Sequence, residues 1–301
     1  MQPSSFANPS SSSAPPSSRT RSTRARRSLA ACLGVAMLAS ASLLVALTPV
    51  SARAATPLPG NLAKFAHCPV NVKGVTLCLY SRTTSTTFQI GSTTVTSTKP
   101  STVSLGVIFS KSGQIHVVLP DDGTSALQSP AIPLPGGLAG IPGLGTGELK
   151  VTVTPQLVGL PSLSLVNLLA ASGPGLTLPI DVLVSTPTGA LGPECTIADS
   201  SGPITLNLTT GTTNPAAPNV PETGALGTLS SKNDGLLTIS GLKLVDNTFA
   251  VPGAQGCGPL GALDEILDLD KGLPSAAGSN NAVLAGSSYT IPASLIRKYL
   301  G

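Results

Sequence analysis

The residues Gly256-Cys257-Gly258-Pro259-Leu260-Gly261 fit the pattern G-x-G-x-x-G and lead into the apolar, helix-like run LGALDEIL over 260–267. In a dinucleotide-binding unit such glycines let the backbone close on a pyrophosphate, which is held by free N–H groups at a helix N-terminus. That chemistry requires a strand before the loop and βαβ units around it. Here the loop follows DNTFAVPGAQ (246–255), in which Pro252 and Gly253 interrupt a buried strand. Pro259 also removes one of the N–H groups a phosphate would use. The stretch therefore reads as a knuckle whose glycines let the chain pack tightly around a disulfide-bonded Cys257.

Other catalytic patterns are missing. The sequence holds no G-x-S-x-G, no S-x-x-K with its partner motifs and no H-E-x-x-H. A Ser-His-Asp arrangement is defined by geometry, so its base would have to be His67 or His116, the only two histidines. His67 abuts Cys68 in an expected surface turn, and His116 alternates with Val117 in an expected strand. Both read as structural, and no catalytic residue is assigned. Asp264, Glu265, Asp268 and Asp270 miss the calcium-loop spacing and open an amphipathic helix, where acids favour the positive end. They are expected to form a solvated face. With no C-x-x-C pair and two histidines, neither a metal nor another cofactor is expected.

The chain ahead of these residues begins with a different composition. Residues 1–27 are rich in Ser and Pro, hold no acid and end in Arg19, Arg21, Arg24, Arg26 and Arg27. An apolar run over 29–50 follows, closed by Pro49 and by Ala52-Arg53-Ala54. Basic, apolar and then small-x-small is the order of an export signal, with cleavage expected between Ala54 and Ala55. Arg26-Arg27-Ser28-Leu29-Ala30 resembles a twin-arginine signal, with Ala25 where Ser or Thr is usual, and both export routes stay open. Cys32 stands at the start of the apolar run, whereas a lipidated cysteine ends one.

Removing the leader reverses the net charge. Of 17 basic residues, six lie in residues 1–54 (the five arginines above and Arg53), so the mature chain has 11 − 13 = −2. No basic patch remains to recruit nucleic acid. Four cysteines remain, Cys68, Cys78, Cys195 and Cys257, which allow three pairings. The favoured pairing is Cys68–Cys78 and Cys195–Cys257, a small loop and a long tie, as expected in an oxidising compartment.

The elements around these residues are short runs of alternating Thr, Val, Ser and Leu broken by Gly and Pro. Strands are expected over 86–97, 102–109, 113–119, 148–154, 178–184, 202–210 and 236–245. Short helices are expected over 162–173, with Ser162 as N-cap, over 260–272 and at the C-terminus. The fold class is mainly β, a sandwich or barrel with long Pro/Gly-rich loops at 130–147 and 210–224. Residues 55–301 read as one β-rich domain, with two β sub-domains divided near 155–178 as the alternative. There is no Trp, and the mature chain's aromatics are Phe65, Phe88, Phe109, Phe249, Tyr80, Tyr289 and Tyr299. That scarcity argues against stacking surfaces for sugars or single strands. Val220-Pro-Glu-Thr-Gly224 and Leu273–Gly278 come near a wall-sorting signal but lack the apolar segment that must follow one, so both read as loops.

The segments FAHCPVNVKGVTLCLYS, FQIGSTTV, LPIDVLVSTPTGALGPECTIADSSGPITLNLTTGTTNPAAPN, LVDNTFAVPGAQGCG and GLPSAAGSNNAVLAG follow one another along the chain. Together they resemble a group of secreted proteins of high-GC Gram-positive bacteria (actinobacteria) to which no activity is assigned. The resemblance covers nearly all of 60–290 and implies export and disulfides, with no functional residue to carry over. The expected role is a non-enzymatic structural or interaction protein of the cell envelope or extracellular space, its partner unnamed and its mature chain without a membrane span. A carrier of an apolar small molecule or lipid is the alternative. A hydrolase using His116 or His67 stands third.

Overall fold

A computed structural model of the protein describes residues 57–138, 150–198, 202–231 and 234–300. The expected leader, its expected cleavage site and residues 139–147 of the first long loop lie outside the described residues. The first half of the chain forms β1 (Leu77–Ile90), β2 (Thr93–Ser97), β3 (Ser101–Phe109), β4 (Ile115–Val118), β5 (Leu127–Gln128) and β6 (Ile132–Pro133). Then come β7 (Thr152–Leu157), β8 (Ser162–Leu163), α1 (Leu165–Ala170), β9 (Leu176–Ser185), β10 (Thr196–Ile197) and β11 (Ile204–Leu208). The rest is β12 (Thr228–Ser231), β13 (Leu237–Asp246), β14 (Ala254–Gln255), α2 (Asp264–Lys271), β15 (Asn281–Pro292) and α3 (Ala293–Leu300).

The strands build two antiparallel sheets facing each other as a sandwich, within one compact unit. The first runs β12-β13-β15-β1-β3-β4, with β2 on β1 and β5 on β3. The second runs β14-β10-β9-β7-β6, with β8 and β11 also on β9. β9 is its spine. Leu178, Ile180, Val182 and Val184 alternate inward and are buried, while Asp181 and Leu183 alternate outward. β7 and β9 flank the segment 155–178 and pair with each other in this one sheet.

The first sheet buries opposite faces at its two ends. β15 pairs without interruption from Asn281 to Pro292, so its odd and even residues point to opposite faces throughout. Ala282 and Leu284 belong to the core between the sheets, whereas Tyr289 and Ile291 belong to a second core. That second core joins Phe65, Val70, Val75 and Cys78 of the N-terminal side to Ala293 and Ile296 of α3. Arg297 fastens it, donating from Nε to the Val70 carbonyl and from Nη2 to the Val75 carbonyl, both at 2.8 Å.

Both neighbours of β15 are bulged where the buried face changes. β1 slips between Thr83 and Ser85 and β13 between Ser240 and Leu242, each opposite Gly286. A bulge inserts one residue, so Cys78 and Tyr80 can face the second core while Phe88 and Ile90, also even-numbered, face the first. Gly286 sits where a Cβ would collide with the Arg82 carbonyl oxygen. The chain passes between the sheets at Leu208–Thr209. Thr209 exchanges both backbone hydrogen bonds with Val245, and the buried Asp246 carboxylate accepts the Asn207 N–H at 2.6 Å.

Four expectations need correction. The strand expected over 86–97 turns at Gly91 and forms the end of β1 and β2, which pair with each other. The strand expected at 148–154 forms at Thr152–Leu157. Helix α1 starts at Leu165 with Ser164 as N-cap, its Oγ accepting the Asn167 N–H, because Ser162 is already paired with Thr177 in β8. The central strand β15 was not anticipated. We predict that Gly286→Ala destabilises the protein by about 2 kcal/mol through overpacking against backbone, read from urea denaturation.

Candidate functional site

One histidine finds a carboxylate. His67 Nδ1 lies 2.7 Å from Asp122 Oδ2, across 55 residues of sequence, with both side chains 41% exposed. Asp122 is also held in a turn by the Thr124 N–H, which donates to Oδ1 at 2.9 Å. The His67 hydrogen bond, helped by Thr124 and opposed by partial burial, lowers the Asp122 pKa to about 2. This is the orienting half of a hydrolytic triad. Among the described residues no hydroxyl lies within hydrogen-bond reach of the other ring nitrogen, and none of the grooves described below is lined by His67 or Asp122. His116 lies on edge strand β4 opposite Ile108, and no contact links it to His67. Among the described residues neither histidine is hydrogen-bonded to a hydroxyl.

The glycine-rich loop is saturated from within. The Cys257 N–H donates to Asp264 Oδ1 and the Ala254 N–H to Asp268 Oδ1, each at 2.7 Å. Gly258 N–H donates to the Leu191 carbonyl at 2.7 Å. Two carboxylates thus occupy the donors that a phosphate would need, and they would repel it. Gly256 and Gly258 have φ of 72° and 73°, and a Cβ on either would press on Glu194 or Leu263. The expectation of a solvated acidic face is corrected here. Asp264 and Asp268 turn back to cap the knuckle, and Asp270 pairs with Lys271 at 2.7 Å. Among the described residues, no three His, Cys, Asp or Glu side chains converge as metal ligands.

Cysteines are joined as Cys68–Cys78 and Cys195–Cys257, the favoured pairing. The first pins the N-terminal segment to β1 and the second pins the knuckle to the start of β10. The wall-sorting look-alike at Val220–Gly224 is packed: Thr213 and Glu222 exchange hydrogen bonds, Lys243 pairs with Glu222 at 3.3 Å, and a Cβ on Gly224 would meet three backbone atoms.

The core between the sheets is filled. Two voids within it measure about 20 and 30 Å³ and share Phe88, Ile132, Pro155, Ile180 and Leu206 as walls. Each is on the scale of one water, whereas a small-molecule site needs about 300–1,000 Å³. Larger spaces are surface grooves. One, of about 650 Å³, runs between β5 and β7 and has no ionisable side chain in its lining, so it offers no acid or base. Its β7 edge carries Pro155, which cannot donate to an added strand.

Several apolar side chains are exposed along one stretch of chain, Val158–Leu169, while Leu260 and Leu269 are exposed elsewhere, on the knuckle and on α2. Pro179 in β9 accepts the Val158 N–H at its carbonyl but has no N–H to return, and β7 ends at Leu157. The chain bulges outward over Val158–Pro161 and re-enters as β8. Val158 is 48% exposed, Leu160 69%, and on α1 Val166 75% and Leu169 55%. Leu168 of the same helix is buried and Leu165 packs on the core, so α1 carries apolar side chains on both its inner and outer faces, with Asn167 as its polar residue. A groove of about 400 Å³ separates Leu163–Val166 from Gly113–His116 of the β3–β4 hairpin. Sequence reading passed over this stretch, although a signal existed: no ionisable residue occurs from Val151 to Ile180. No helix among the described residues is long and apolar enough to cross a membrane.

No protein-family model matches the chain, and no curated protein or solved structure is significantly similar to it.

Two outcomes follow. Because the folded pKa of Asp122 is depressed, its contribution to stability is present above its ordinary 3.8 and lost as pH falls through about 2. Asp122→Asn should therefore flatten thermal stability over that window, by a small step because both side chains face screening water. Replacing Cys195 and Cys257 together by Ala should cost about 4 kcal/mol in denaturant unfolding, against about 3 for Cys68 and Cys78, since the closed loops span 62 and 10 residues.

Proposed function

We propose that the protein is an exported, non-enzymatic structural or interaction protein of the cell envelope or extracellular space. The observation that carries this reading is a filled sandwich that still exposes an aliphatic, charge-free corner at Val158, Leu160, Val166 and Leu169. Exposed apolar side chains brought together in this way mark contact surfaces. Two disulfides and the leader-like N-terminal sequence support export to an oxidising compartment. Among the described residues no hydroxyl is hydrogen-bonded to the His67–Asp122 pair, which weighs against hydrolysis. Interior voids of about 20 and 30 Å³ weigh against a carrier.

Intact mass spectrometry of the protein purified from culture supernatant tests this reading. The denatured chain should begin at Ala55 and gain the mass of four hydrogens on reduction, and the native mass should exceed the denatured one by nothing. Retention of the leader or four free thiols would remove the exported reading. An added mass of a small molecule would restore the carrier.

A further inference from the structure

We propose that the corner formed by the Val158–Pro161 excursion and α1 docks on a lipid surface, at the boundary between headgroups and acyl chains. This inference rests on the interaction reading above and names the partner's chemistry. Three observations select lipid over a protein partner. The corner is aliphatic, whereas the residues that dominate protein–protein contacts are Trp, Tyr and Arg, with Leu and Val under-represented. The segment Val151–Ile180 has no ionisable side chain, so nothing charged on it is desolvated when it enters an apolar phase. The C-terminal turn of α1 is closed from within, while the Gly159 and Leu160 N–H groups of the excursion make no hydrogen bond among the described residues and would stay at the level of headgroups and water.

This last point matters because hydrocarbon offers no hydrogen bonds. The Asn167 carbonyl accepts from the Ala171 N–H and, at 3.1 Å, from the Ser172 N–H. The Leu168 carbonyl accepts from Thr210 Oγ1 at 2.6 Å, and Asn167 Nδ2 donates to the Pro174 carbonyl at 2.8 Å. The short helix therefore reaches its apolar tip with its turn closed by its own protein. Val166 and Leu169 project from it, three residues apart and on one face.

The charge around the corner sets the headgroup preference. The hairpin across the groove has His116 in the groove lining, Lys111 at its exposed tip and no acid from Ser101 to Leu119. Asp121 and Asp122 follow the far end of β4. The nearest acid in the register, Asp181, stands opposite Gln156 on the outward face of the second sheet. An aliphatic tip flanked by one lysine fits a surface with anionic headgroups.

Vesicle flotation tests this, using the protein from culture supernatant with phosphatidylcholine vesicles and with mixed phosphatidylcholine–phosphatidylglycerol vesicles. The protein should float with both, and more with the mixed ones. V166D/L169D should lower the partition coefficient roughly 100-fold on both. Lys111→Glu should lower it about tenfold on the mixed vesicles alone. Leu229→Asp, at a comparably exposed leucine on β12, should change nothing. Thermal melts report whether each variant keeps the fold, and Leu160→Asp, outside the helix, repeats the test independently of α1. The proposal is overturned if the wild-type protein does not float, or if V166D/L169D and Leu160→Asp float as well as it does. Sedimentation velocity then separates the two failures. Self-association lost in V166D/L169D would keep the interaction reading with a second copy as occupant, whereas a monomer that binds neither would remove that reading as well.

Discussion

The level of Gly286 in β15 is the constraint on which the architecture depends. A long strand in a sandwich ordinarily buries one face along its whole length. Here β15 keeps strict alternation while β1 and β13 each take in one extra residue opposite Gly286, so the buried face changes across the bulges. One end of the sheet then presents Phe88, Leu244 and Ala282 to the second sheet. The other end presents Cys78, Tyr80 and Ile291 to the opposite side, where only the chain's own terminal segments are in place to cover them. The 3-10 helix over Gly60–Phe65, the Cys68–Cys78 bridge, α3 and Arg297 follow from that need. Without the bulges, the outer apolar half of the sheet would have no cause to recruit both termini.

A second constraint, in the other sheet, produces the corner. β9 pairs with four strands, and Pro179 near its middle cannot donate at the place where β7 would continue. The neighbouring chain leaves the sheet there and returns as β8, then turns into α1. Gly159 lies against the Pro179 ring, 3.0 Å from where its Cβ would be, so the excursion is packed at its base. Val158 and Leu160 are exposed because of a missing backbone donor, not because of loose packing. Fold and surface thus share one cause.

Much of this was legible in the sequence, and the exceptions have physical reasons. Strand β9 announces itself in LTLPIDVLVS, where apolar and polar residues alternate with period two. Strand β15 reads NAVLAGSSYTIP, and its Ala, Gly, Ser and Asn are depleted in strands generally. It is central because its neighbours bulge around Gly286, which needs a small residue, and no propensity records that. The glycines of the knuckle were read correctly as backbone packing, yet Asp264 and Asp268 were read as solvated. Sequence shows that acids suit a helix start but not that two of them bend back to the loop before it. The pairing of His67 with Asp122 spans 55 residues and two loops, and no spacing rule reaches that far.

Isolated exposed leucines are ordinary on protein surfaces, so exposure alone does not single out α1. What distinguishes it is that both of its faces are apolar while its ends are closed by Ser164, Thr210 and the turn at Ala171. A helix of six residues has little stability of its own and is held by the burial of Leu165 and Leu168. Its outer face would be free to be polar, since Val166 and Leu169 contribute nothing to that burial. Around them Asn167 is used for the helix's own closure, and no ionisable residue appears until Asp181. The filled core offers these side chains no alternative site, because its voids are on the scale of a single water. An aliphatic outer face that packing does not require, on a helix whose C-terminal turn is closed by its own protein, is a surface suited to an apolar phase outside the molecule.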